Sequence, residues 1–426
     1  MSAREIVIPV LVIAESHLLP RVRKFYAKLS EAFTKRNIKP TFIEITTIND
    51  INKIDNINKE YSCIVILTCG LVKFLQHIAE KLLKLRVPTA LVALLSPSLI
   101  SVPSAMQLSS ILKNRLGHVF FLADPEDERS IIGITSFIRT ADALKDLLSS
   151  NVGVIEGYSN IGLLKSLNMK IKYISKENLR NKMESISDDL VKKYFRAYIE
   201  SRLLQVRTDV KDVHHQIRLY IAIKRIIDEE NLNAVLTPCP LLGTTPCLAL
   251  SLLEEEGIIT ECLGSPSLFI GSLLLRSISR KPTFTGFIST IELHDRVIRI
   301  LSCGKAPVSM AIDPRDVELS PQPNTWIAPG VTLSFSTKRA RSTILRIIQK
   351  EDGLKIIVAS GETFPVMKNL LKEDIPVWPH VFMKMDSSPL KLIETLEDPF
   401  INVTLGDYRR FIMYLAKIIN AELIMI

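Results

Sequence analysis

No stretch of this chain is apolar for long enough to cross a bilayer. The longest runs, Ile6–Ala14 and Ala90–Leu95, fall far short of the ~20 residues that a spanning helix needs. Met1–Arg4 leads straight into the first run, with no basic segment and small-residue cleavage site, so no secretory signal is read. The expectation is a soluble, cytoplasmic protein. Cysteine is scarce, six in 426 residues and never in C-x-x-C spacing, which excludes a disulfide framework and a structural zinc site. Glutamine is equally scarce, six residues against a wealth of Ile, Lys and Glu, and points to a thermophilic source. Also absent are Gly-x-Ser-x-Gly, G-x-G-x-x-G and Walker A patterns, which disfavours a nucleophile-elbow hydrolase and the common nucleotide sites.

What is there is an ordinary globular composition, 47% apolar and 23% charged, with ample material for a core. Lys and Arg outnumber Asp and Glu by 54 to 45, a net +9. That charge is spread along faces such as Arg21–Arg36, with a short cluster at Lys338, Arg339 and Arg341. No glycine-aromatic RNA-binding motif accompanies it, so a solvated basic surface is the favoured reading and nucleic acid is not expected as a partner.

Three textures succeed one another. Over residues 1–150, β-branched runs (Ile6–Ile13, Thr41–Ile45, Cys63–Thr68, Thr89–Leu95, His118–Ala123) alternate with helical segments. Among these segments are Leu18–Arg36, Val72–Leu85 and Ser104–Leu116, and Asp124-Pro125-Glu126-Asp127 opens another. A second such series fills 151–310, with helices expected over Val191–Leu204, Asp212–Glu229, Pro246–Glu255 and Leu268–Ile278. Over 311–426, prolines punctuate the chain, followed by short strands at Val331–Ser336, Thr343–Ile348, Leu354–Val358 and Val377–Met385 and one good helix, Tyr408–Ile419. The expected fold is α/β: two Rossmann-like, doubly wound parallel-sheet domains followed by a smaller, mainly antiparallel β domain.

Individual motifs are mostly bland. Gly153, Gly157 and Gly162 follow a strand, but their spacing suits a tight turn better than a phosphate cradle. His214 and His215 diverge by about 100° on a helix and cannot both face one ion. The informative stretch is Thr237-Pro238-Cys239-Pro240-Leu241-Leu242-Gly243-Thr244-Thr245-Pro246-Cys247, continuing to Glu261-Cys262-Leu263-Gly264-Ser265. Both loops follow neighbouring strands at their carboxyl ends, where open α/β sheets bind ligands.

Here the chain resembles the L-fucose/L-arabinose isomerase superfamily, in particular the L-fucose isomerase-like proteins. The resemblance lies in Pro246–Ile258, Cys262–Gly264, Ser302-Cys303-Gly304, Pro329–Leu333, Ser360-Gly361-Glu362, Trp378–Phe382 and Gly406-Asp407-Tyr408. Their order and spacing hold over about 150–426, while the first third matches in texture alone. The resemblance implies an active site between the second and third domains, a manganese ion on the sugar's O1 and O2, and an acid moving a proton between C1 and C2. It also implies oligomers. The family's acid and histidine positions, however, fall on Leu263, Gly286 and Phe400, with Asn402 beside the last. Leucine, glycine and phenylalanine offer no donor to a hard cation, so no metal cofactor is expected.

Three expectations result. The first is a degenerate member that binds a sugar, a polyol or a partner through a neutral cleft lined by Thr237, Cys239, Ser265, Ser302, Cys303 and Asn402, without metal-dependent isomerisation. It would assemble as a homo-oligomer or beside an active relative. The second is an active sugar isomerase with relocated groups, the candidates being Glu261, Glu362, His380 and Asp407, with Glu292 and Asp295 behind them. The third, resting on net charge alone, is a nucleic-acid-associated protein.

Overall fold

The computed structural model describes residues 5–57, 60–112, 117–124, 126–202, 204–323, 328–366 and 378–426. Met1–Arg4, on which the reading of the amino terminus rests, lies outside them, as do residues 113–116, Pro125 and Val377 of three expected elements. The chain divides into two units, Met1–Lys145 with Arg410–Glu422, and Asp146–Arg409 with Leu423–Ile426.

The first unit holds β1 (Ile6–Ala14), α1 (Leu19–Thr34), β2 (Ile38–Ile45), β3 (Ile64–Cys69), α2 (Leu75–Leu85), β4 (Thr89–Leu94), α3 (Ser101–Leu112), β5 (His118–Ala123) and α4 (Glu128–Leu148). Its five strands form one parallel sheet in the order β2-β1-β3-β4-β5. Both faces are covered, as the unbroken apolar runs require. Val10 and Val12 enter a cluster with Val22 and Leu29 of α1 and Phe137 of α4. Leu11 and Ile13 enter another with Ile78 of α2 and Leu108 of α3. Asp127, rather than Asp124, stands at the head of α4, its carboxylate accepting from Arg129 N–H at 3.1 Å. The helix Arg409–Ile419 adds Tyr414, edge-on to Phe121 and Phe137.

The second unit opens with β6 (Asn151–Ile155), α5 (Gly162–Ser166), β7 (Lys170–Ile174), α6 (Lys176–Glu184), α7 (Asp188–Phe195), β8 (Gln205–Val206), α8 (Val210–Glu229), β9 (Ala234–Leu236), α9 (Cys247–Glu255), β10 (Ile259–Glu261) and α10 (Pro266–Ser279). The helix expected over Val191–Leu204 instead ends at Phe195 and passes into a π-helical turn, Arg196–Glu200. A parallel sheet runs β10-β9-β6-β7. Then come β11 (Thr283–Glu292), β12 (Val297–Leu301), β13 (Glu318–Pro321), β14 (Val331–Ser334), β15 (Ala340–Lys350), β16 (Gly353–Phe364), β17 (His380–Met385), α11 (Pro389–Thr395), β18 (Phe400–Leu405) and β19 (Glu422–Met425).

The expected α/β character, with parallel sheets and a separate antiparallel-rich sheet, is what the structure has. The antiparallel part closes on itself. Its strands run β15-β18-β11-β12-β17-β16, and β15 pairs back onto β16, so six strands make a barrel. Thr283–Leu301, placed from sequence with the second α/β series, supplies two of those strands.

Helix α10 lies on the outside of the barrel against β11, β15 and β18. Its fit is set at one point. Asn402 of β18 donates from Nδ2 to Ser272 Oγ of α10 at 2.8 Å and to Thr285 Oγ1 of β11 at 3.0 Å. Gly271 is what allows this approach, because a Cβ there would collide with Asn402 Oδ1. Gly271→Ala should therefore cost about 1–3 kcal/mol through overpacking. Combined with Asn402→Ala, which removes the obstacle, it should cost clearly less than the sum of the single changes. Urea unfolding of the four proteins in the cycle measures this, and strict additivity would refute the contact.

Candidate active site

The carboxyl ends of β9 and β10 lie side by side, joined where Thr237 N–H donates to Glu261 O at 2.9 Å. After Thr237 the chain passes through a cis Cys239–Pro240 bond and a tight turn at Leu242 and Gly243, both with positive φ. Two backbone bonds between Leu241 and Thr244, at 2.9 and 3.1 Å, close that turn. Glycine suits the second of these positions because its φ of 82° disfavours a side chain.

Glu261 ends β10 and is 3% exposed. Its Oε2 accepts from the Tyr158 hydroxyl at 2.7 Å and its Oε1 from Leu263 N–H at 2.5 Å. Burial pushes its pKa up, and the two donors and the nearby Lys305 charge only partly offset that. Beneath it lies an ion pair. Lys305 Nζ donates to Glu254 Oε1 at 2.5 Å, to Thr260 O at 2.8 Å and to Thr260 Oγ1 at 3.2 Å. Three N–H bonds meet three acceptors, and both charged side chains are about 95% buried. Burial alone would favour a neutral amine, but the Glu254 carboxylate outweighs it and holds the lysine protonated.

The loop Ser302–Lys305, which follows β12, closes the third side. Ser302 Oγ donates to Lys305 O at 2.6 Å, and Gln322 Nε2 donates to Cys303 O at 2.9 Å. Cys239, Cys247 and Cys262 all lie near Cys303 here, and burial raises every thiol, Cys239 to about 11. None is a thiolate near neutral pH, so a cysteine nucleophile is disfavoured. Thr237 is fully buried, and its hydroxyl finds no hydrogen-bond partner among the described residues.

Of the residues expected at the site, Thr237, Cys239, Cys303 and Glu261 come together, with Ser302 in the same loop as Cys303. Ser265 caps α10, accepting from Leu268 N–H at 3.4 Å. Asn402 is committed to the α10–barrel contact, and the turn after it leads away from the mouth. Asp407 is paired with Arg409 and Arg341, and Glu362 lies near Arg339 on the surface. His380 is fully buried, takes a bond from Arg299 Nε at 3.2 Å and stacks on Phe382. Glu292 and Asp295 are exposed at the β11–β12 hairpin. Two residues had been missed, Tyr158 and Lys305. The lysine did leave a signal, as the lone charge between Arg299 and Asp313.

The manganese implied by the family resemblance does not fit the side chains present. Leu263 and Phe400 bring no donor atom, and any side chain at Gly286 would strike Leu301 O of the neighbouring strand. Among the described residues no three His, Cys, Asp or Glu side chains gather as a metal-holding group. No step through a metal is therefore derived.

No family model matches the chain. It is similar to the sulfoquinovose isomerase of Clostridium sp. (strain MSTE9), 23% identical over 344 residues, 75% of this chain and 74% of the relative. It is likewise similar to sulfoquinovose isomerases of Alkalicoccus urumqiensis and Priestia megaterium, each 23% identical, over 62% and 47% of this chain. It spans less than two thirds of those two relatives, 63% and 45%. Among solved structures, a periplasmic solute-binding protein from Actinobacillus succinogenes aligns at 14% identity over 65% of this chain and 92% of its own, with a TM-score of 0.19, too low to carry any argument. No helix among the described residues is long and apolar enough to cross a membrane.

Two outcomes follow from the buried charges. Lys305→Met should cost about 3–5 kcal/mol by leaving Glu254 buried without its counter-charge. Adding Glu254→Met should recover most of that loss in urea unfolding, and a double variant no better than the single one would show the pair to be unimportant. For Glu261 the folded pKa lies above the unfolded one, so the folded state holds the extra proton between the two values. Its contribution to stability therefore falls as pH rises from the ordinary glutamate range through the raised folded value. Glu261→Gln should gain stability over the wild type across that rise and show no such gain in acid. Unfolding curves at pH 4 and pH 8 test the sign, and a gain confined to pH 4 would reverse the assignment.

Proposed function

We propose that this chain is a carbohydrate-metabolism protein of the sugar isomerase class, interconverting an aldose and its ketose where β9, β10 and the Ser302–Lys305 loop meet. The observation that carries this is Glu261, a buried carboxyl at the carboxyl end of a parallel strand, its pKa raised by burial. A carboxyl so poised can take the proton from C2, leaving an enediolate, and return it to C1. Tyr158 fixes one of its oxygens at 2.7 Å, leaving little freedom to the group that moves the proton. Lys305 does not reach out to substrate, since its three N–H groups are engaged, but its charge favours an anion above it. Similarity to sulfoquinovose isomerases over three quarters of the chain supports a sugar as substrate.

In this reading the second unit comprises a Rossmann-like part and a β part and acts in the cytoplasm, and the boundary first expected near residue 310 moves ahead of Thr283, where the barrel strands begin. The partner is a sugar or polyol, and the chain assembles as a homo-oligomer or beside an active relative. A second reading, binding without turnover, is favoured by the neutral residues at Leu263, Gly286 and Phe400.

The test is C2 proton exchange in D2O, followed by NMR, with sulfoquinovose, L-fucose and L-arabinose, with and without EDTA. Exchange and ketose formation that survive EDTA and fall at least about 100-fold in Glu261→Gln are expected for a general base. Sugar binding without any exchange would leave the second reading in place of the first.

A further inference from the structure

Helix α10 covers only one end of the outer face of β18 and β11. Beyond Asn402 and Thr285 the next residues on that face are Phe400 and Phe287, paired directly across the two strands. Phe287 pairs in turn with Leu301 of β12, and Leu301 with His380 of β17, so one row of side chains crosses four strands. The two phenyl rings meet edge-on at 6.0 Å, and Trp378 stands edge-on to Phe287 at 6.4 Å. Trp378 is fixed by its Nε1–H, which donates to Gln322 Oε1 at 3.0 Å, while Gln322 holds Cys303 O at 2.9 Å. The indole is thus locked to the same loop that carries Ser302 and Lys305. Phe287 and Phe400 are nevertheless only half-buried. An aromatic pair left partly open beside a fixed indole and neutral serine, thiol and amide groups is the lining a small-ligand site uses.

We propose that Phe287, Phe400 and Trp378 form the seat for the sugar ring, taking the apolar C–H face of a pyranose, with Gln322 holding the indole in place. This rests on the sugar-isomerase reading and deepens it. This wall receives the closed ring, which must open to its aldehyde before C2 can lose a proton. It therefore selects ring forms over acyclic polyols.

The chain has two tryptophans, so Trp326→Phe leaves Trp378 as its single fluorophore. Titration of that variant with sulfoquinovose, L-fucose and L-arabinose should give a saturable change in Trp378 emission for at least one of them, with calorimetry of the wild type alongside. Phe287→Leu and Phe400→Leu keep apolar bulk but remove the aromatic face, and each should weaken binding of that sugar about tenfold. The corresponding alditol, which cannot close a ring, should bind at least as weakly as the sugar does to those variants. Calorimetric binding with flat Trp378 emission, or with unchanged affinity in both leucine variants, overturns the proposal and leaves the functional reading standing. A wild type that binds none of the sugars overturns both.

Discussion

The ion pair of Lys305 and Glu254 is the constraint on which the site depends. It ties two consecutive elements, α9 through Glu254 and β10 through Thr260, to the loop leaving the barrel, whose Lys305 lies 51 residues beyond Glu254. Removing two charges from water costs several kcal/mol per ion, so the arrangement persists only with its hydrogen bonds complete. They nearly are. Every N–H of the ammonium is taken, and among the described residues Glu254 Oε2 finds no partner. The short strands β9 and β10, three residues each, could not by themselves hold the barrel loop in register with their ends.

That same pair sets the electrostatics above it. A fixed positive charge under a nearly dry surface favours anionic states nearby, yet burial still dominates for the thiols and for Glu261, all of which are raised. In the proposed reading the buried Glu261 carboxyl is the group that carries the proton. Four cysteines brought together as thiolates would suit metal or redox chemistry, but burial keeps them protonated and makes them small lining groups instead. What distinguishes Glu261 from Glu362 or Asp407 is solvent. The latter two sit beside arginines nearer the surface, and the Arg409 guanidinium holds the Asp407 carboxyl below the usual carboxylate range.

The parts of the fold that were legible in the sequence are those governed by local pattern. The β-branched runs of β1 to β5 announced strands buried on both faces, and the loops after Leu236 and Glu261 were placed at strand ends by their Pro and Gly content. The barrel was not legible, because closure of β15 onto β16 is a pairing between remote segments that alternation cannot express. Nor was the role of Asn402. Its place beside Phe400 in the chain suggested the mouth, but a strand alternates and continues. Two residues on, the same face is already under α10, and the amide meets Ser272 rather than a ligand. Lys305 was visible as an isolated charge, whereas its partner Glu254 was hidden in the run Glu254-Glu255-Glu256, since nothing local says which of three acids points inward.

The three positions that depart from the family's acid and histidine pattern are not equivalent. Leu263 is 36% exposed on a loop and could carry another side chain without disturbing its neighbours. Phe400 is built into the aromatic row, so replacing it changes the packing of Phe287. Gly286 lies too close to Leu301 O for any side chain, because β11 and β12 approach closely there. The difference from a metal-binding barrel therefore resides in the backbone spacing of two strands as well as in side chains. Two strands drawn together at glycine and an aromatic row where a ligand would stand are one coherent surface. Such a surface fits a ring better than an ion.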